Sequence, residues 1–167
     1  MADRAMHKLT KDEIVELRKV LGARPDVLVS ARGPQAFVAL LRDRLVVRRE
    51  QGWQFVAWAD VQRGGWDSDN RRLYWELVDG TRSEVELNQS SALPHAFAER
   101  VRASIVVSRQ FQLDDDLGTV LIVGRRQPGS DDPISWQAEG LGRCDLTDPR
   151  VQSIVLGLVE DVRAEYE

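Results

Sequence analysis

The sequence predicts an α+β fold: an antiparallel sheet, partly open as a β-barrel, with about three helices including a C-terminal one. Three observations carry this. Short, alternating apolar runs separated by turn signals fill residues 36–139, as antiparallel strands do. Capped amphipathic helix patterns stand on either side, over residues 8–22 and 149–164. Four of the five tryptophans fall between residues 53 and 75, and rings of that size mark a packed β core or a binding face.

The first helix is punctuated at both ends. Thr10 and Glu13 form a capping box, Leu9 is placed to staple onto Ile14, and Gly22 supplies a left-handed stop. Ile14, Leu17 and Leu21 recur at helical spacing, so one face needs a surface to cover. A short strand over 26–31 precedes the break at Gly33-Pro34. Strand-like runs follow at 37–41, 45–49, 53–58, 72–78 and 81–87. Asp79-Gly80 is the strongest hairpin signal and favours a type I′ turn.

A helix over about 92–103 comes next, with Ser91 as N-cap and Pro94 in its first turn. Leu93, Phe97 and Val101 give it an apolar stripe. Strand runs return at 104–113, 119–126 and 134–139. The final helix starts with Asp148 as cap and Pro149 at its first position, and Val151, Ile154, Val155, Leu158 and Val162 form one face. Its last turn carries Glu165 and Glu167, which oppose the helix dipole, so those residues are expected to fray.

A chain of 167 residues with 43% apolar and 30% charged residues is read as a single domain, 1–167. Its net charge of −4 argues against general nucleic-acid affinity, which needs excess cationic charge. No apolar run approaches the ~20 residues that span a bilayer, and residues 1–7 lack the apolar core of a signal peptide. The expected location is cytoplasmic. Cys144 is the one cysteine, which leaves no internal disulfide and no cysteine-cluster zinc site.

Alternate strand residues point to opposite faces. Trp53 and Phe55 point one way, Val56 and Trp58 the other, and residues 37–41 are apolar on both faces. A sheet with one wet face would alternate more cleanly, so the first strands are covered on both sides. The N-terminal helix is the favoured second cover; a partner protein or a homodimer contact is the alternative.

Five residues stand out as binding candidates. Arg42, Arg44, Arg48 and Arg49 surround one hairpin, where guanidinium groups suit phosphate or carboxylate, although Asp43 and Glu50 reduce the patch to +2. Trp66 follows Gly64-Gly65 and precedes Asp67-Ser68-Asp69-Asn70, so it reads as a residue beside a turn, folded onto the core or offered to a partner. The run Asp114-Asp115-Asp116 lacks the alternating ligands of a calcium loop and reads as a solvated turn, and no metal or cofactor is expected. His7 and His95 are the only histidines, neither beside a nucleophile motif, so no catalytic residue is assigned.

Residues 36–87 resemble bacterial pleckstrin-homology-like domains. Ala39-Leu40-Leu41-Arg42-Asp43-Arg44-Leu45-Val46-Val47 looks like the opening hairpin, Phe55-Val56-Ala57-Trp58-Ala59-Asp60-Val61 like the strand end that follows, and residues 73–87 like the next hairpin. The remainder, with Glu99-Arg100-Val101, Gly124-Arg125-Arg126 and Ser135-Trp136, is similar to a family of small actinobacterial proteins. Domains of the resembled type run seven strands and then one closing helix. Here a helix precedes three further strands, so either the last helix closes the barrel around an insertion or the order is elaborated. The resemblance implies a non-enzymatic scaffold that binds a protein or peptide, or a homodimer. The alternative is a small-ligand or anionic lipid-headgroup binder using the arginine hairpin, with only weak, peripheral membrane association.

Overall fold

The computed structural model describes residues 9–88, 92–114 and 116–167. The fold is α+β, with three helices and three antiparallel sheets among the described residues, none of them closed into a barrel. The chain forms two compact units. The first runs to Ala103 and includes Gln127–Gly129; the second comprises Ser104–Arg126 and Ser130–Glu167.

In the first unit, helix α1 (Lys11–Leu21) leads into strands β1 (Val27–Arg32), β2 (Phe37–Leu41), β3 (Arg44–Arg49) and β4 (Gly52–Ala57). These four pair in sequence order as one antiparallel sheet. A 3₁₀ turn (Trp58–Asp60) redirects the chain into a second sheet of β5 (Val61–Asp67), β6 (Arg72–Leu77) and β7 (Arg82–Glu86). Helix α2 (Leu93–Ala103) then packs against β1, β5 and the 3₁₀ turn. Its Leu93 and Phe97 enter the main core with Val38, Leu40, Trp58, Leu73 and Trp75. Trp58 is fully buried, meets the Phe97 ring edge-on at 5.7 Å and donates its indole N–H to Leu41 O at 2.9 Å. The Ser91 cap lies outside the described residues.

The capping box of α1 is present as expected, with Thr10 and Glu13 bonded reciprocally and Gly22 left-handed at φ 73°. Leu9 packs with Leu17, Ala39, Leu41 and Val46 on the outer face of the first sheet. The helix is therefore the second cover of that sheet, and all five residues of β2 are buried.

Two local expectations are corrected. The β6–β7 connection is not a type I′ turn, because only Gly80, at φ 89°, has a positive φ there. Gly80 N–H closes the turn onto Leu77 O at 2.9 Å, and Asp79 accepts the Thr81 N–H at 2.8 Å. The carboxylate thereby holds the turn with a single left-handed residue. Residues 61–67 form a strand, although Gly64-Gly65 gave no strand signal. Each glycine clears a different face. A Cβ on Gly64 would stand 2.7 Å from the Phe97 ring, and one on Gly65 would stand 2.9 Å from the Tyr74 hydroxyl.

The second unit is a three-stranded antiparallel sheet, β8 (Ile105–Gln112), β9 (Thr119–Arg125) and β10 (Ser135–Leu141), in the order β10-β9-β8. Helix α3 (Pro149–Tyr166) packs on β10, and Val151 and Val155 join Leu113 and Val120. The helix continues through its acidic end to Tyr166. Arg109 grips Glu165 with two bonds, at 2.9 and 2.6 Å, and Tyr166 lies 6.1 Å from Trp136. Cys144 is half-buried beside the same cluster.

Candidate functional site

The outer face of the first sheet carries a row that crosses all four strands. The register aligns Arg32 with Phe37, Phe37 with Arg48, and Arg48 with Trp53. Cations and rings alternate along it. The Arg32 guanidinium lies 5.7 Å from the Phe37 ring and that of Arg48 5.5 Å from Trp53, within cation–π range. Phe37 and Trp53 meet edge-on at 5.7 Å.

Helix α1 clamps this row with two acids one turn apart. Glu13 pairs with Arg32. Glu16 Oε1 accepts from Arg48 Nε at 3.2 Å and from the Trp53 indole N–H at 3.1 Å. Burial acts against the charge of Glu13, but the bond from Arg32 and the Thr10 N–H outweigh it and hold the carboxyl below its ordinary range. Leu17 fills the space beside this row over Ala39 and Val46.

The row runs out at β4. Phe55 stacks on Trp53 at 6.2 Å and 11°, and it is 41% exposed. Among the described residues, β4 pairs with β3 alone, at the end of the sheet. Its sequence, Gly52-Trp53-Gln54-Phe55-Val56-Ala57, contains no charge and no proline. Edge strands are ordinarily blunted by one or the other.

The arginines singled out in the sequence do not form one patch. Arg42 and Arg44 stand at one end of β3 and Arg48 and Arg49 at the other, about 13 Å away at strand rise. Arg42 pairs with Asp26 at 2.9 Å and Arg44 with Asp43 at 2.8 Å. Arg48 is held by Glu16, and Arg49 donates to Glu84 O at 2.9 Å. Trp66 is half-buried and packs against the main core from β5, opposite Leu73. It folds inward, and the turn lies beyond it, where Asp67 accepts the N–H groups of Asp69 and Asn70. His95 is exposed on α2. His7 and Asp115 lie outside the described residues.

Sequence reasoning placed Trp53 and Phe55 on one face but missed the row they complete, because its other members come from three separate strands. It also missed a shallow depression of about 550 Å³ on the second sheet, lined by Arg63, Tyr74, Glu76 and Arg82. There Glu76 Oε2 is shared by Arg63 Nε at 3.4 Å and Arg82 Nε at 3.5 Å. A further cleft, of about 390 Å³, sets Arg49 and Arg72 against Glu50, Glu84 and Glu86, so it carries no cationic excess.

No family model, no curated protein and no solved structure matches this chain.

Proposed function

We propose that the chain is a non-enzymatic interaction module whose first unit is pleckstrin-homology-like and binds a protein or peptide through the edge of β4. The architectural part is supported by seven strands, arranged four and three, followed by one helix packed on both sheets. In this reading α2 is the closing helix and the second unit is an addition after it. The observation that carries the function is Phe55, exposed and stacked on Trp53 along a charge-free edge strand. Such an edge offers main-chain bonds to an extended segment, and flanking aromatics supply anchors.

An anionic ligand at the arginine hairpin has less to rest on, because each of its four arginines already meets a carboxylate or a carbonyl. Cytoplasmic location belongs to the same proposal. Among the described residues no helix is long and apolar enough to cross a membrane.

The test is selection of random peptides on the immobilised chain, followed by titration against wild type and Phe55→Asp. Loss of an anchor should weaken the selected peptides by about 30-fold or more, equivalent to ~2 kcal/mol. Equal binding to a folded Phe55→Asp variant removes the assignment.

A further inference from the structure

We infer that the β4 edge pairs with β4 of a second copy of this chain, antiparallel and centred on Gln54, to join two four-stranded sheets into one of eight strands. This rests on the reading of β4 as a binding edge and names its occupant.

The four edge strands of the first unit are protected unequally. Helix α2 packs against β1 and β5. Strand β7 carries Arg82, Glu84 and Glu86 on five residues. Strand β4 carries no charge, and its Phe55 is 41% exposed. A two-fold axis places the same strand against itself, so any charge near the axis meets its like. On β7 an axis through its middle residue would oppose Glu84 to Glu84. On β4 no residue from Gln51 to Ala57 carries a charge.

The backbone fixes which groups are free. Arg49 pairs with Gly52 across a two-residue turn, and Trp58 N–H reaches Asp43 O at 3.5 Å. Antiparallel bonding alternates between these two points. Gln54 and Val56 therefore bond inward to β3. The backbone groups of Trp53, Phe55 and Ala57 point to the open side. An axis through Gln54 sets Trp53 of one copy opposite Phe55 of the other, twice, with main-chain bonds exchanged at both pairs. Those side chains share the outer face, so the stacked Trp53–Phe55 pair of each copy meets its mate as a four-ring cluster. Cross-strand aromatic pairs of this kind are among the favourable ones. Gln54 faces its own copy at a non-bonded pair, where Cα atoms come within about 4.5 Å.

Sedimentation across a concentration series up to about 100 µM tests this. Wild type is expected to approach twice the 18.9 kDa chain mass. Phe55→Lys, which puts a cation into the ring cluster, is expected to stay at the single mass with its circular dichroism unchanged. A second measurement does not depend on how that variant folds. In a Cys144→Ser background, Gln54→Cys should give a covalent dimer with oxidised glutathione, and Glu50→Cys should not. A wild-type chain of single mass throughout, a dimer indifferent to Phe55→Lys, or no cross-link through residue 54 overturns the inference. Peptides that still lose affinity for Phe55→Asp would then leave the binding-edge reading standing, and their absence as well would remove both.

Discussion

Strands β2 and β6 are both internal strands of antiparallel sheets in the same unit, yet they are written differently. All five residues of β2 are buried, while β6 alternates buried Leu73 and Trp75 with outward Tyr74 and Glu76. The difference is the number of covered faces. The first sheet has the main core on one side and α1 on the other. The second has the core on one side, while Tyr74 on its outer face is 46% exposed. Alternation survives only where one face meets water.

That contrast is broken most directly at the cover. Leu17 is fully buried between α1 and the sheet, so Leu17→Ala should cost about 2–5 kcal/mol, the range for truncation of a buried leucine. Tyr74→Ala on the bare sheet should cost below about 1 kcal/mol, as surface changes do. Urea unfolding of the two variants decides. Equal costs would mean that α1 contributes no real cover and that the two sheets differ in sequence for another reason.

A smaller effect sharpens the comparison within the second sheet. Gly64→Ala drives a methyl to 2.6 Å from Tyr74 O and 2.7 Å from a Phe97 ring that is 1% exposed. Neither neighbour can move freely, and overpacking of this kind costs about 1–3 kcal/mol. Gly65→Ala meets only the free end of the Tyr74 ring, at 2.9 Å. That ring can swing into solvent, so the change should be close to neutral, helped by the smaller backbone entropy loss of alanine. Thermal denaturation separates the two. If Gly65→Ala were the more damaging, the assignment of inner and outer faces on β5 would be reversed.

These glycines also mark where the sequence stopped being legible. Short apolar or alternating runs bounded by turn signals located the other strands. β5 was missed because its two central residues have no side chains to form a pattern. At Gly64 that absence is required by Phe97, more than thirty positions away. The caps of α1 and α3 were legible because they depend on neighbours no more than four residues apart. The end of α3 was not, since Arg109, on β8, holds Glu165. The same limit governs the candidate site. Arg48 and Trp53 were visible as residues. Their alignment with Arg32 and Phe37 is a property of register, which depends on the length and geometry of three separate hairpin turns.

The smallest expected effect concerns how α1 is held. Glu13 is half of the charged clamp on the row, and its carboxyl lies below the ordinary 4.5 when folded, because the bond from Arg32 and the Thr10 N–H overcome burial. A carboxyl whose folded value is depressed adds stability that is complete above its unfolded value and is lost as the pH falls through the folded one. Glu13→Gln keeps the capping box, since glutamine serves at that position, and removes only the charge. The stability gap between wild type and Glu13→Gln should thus be constant from neutral pH down to about 5 and should close below 4.5. No such effect is expected from outward changes on the second sheet, where no helix needs an acid to hold it. A gap that persists unchanged below pH 3 would mean that the two side chains differ in packing, and that the clamp on the first sheet owes little to the charge on Glu13.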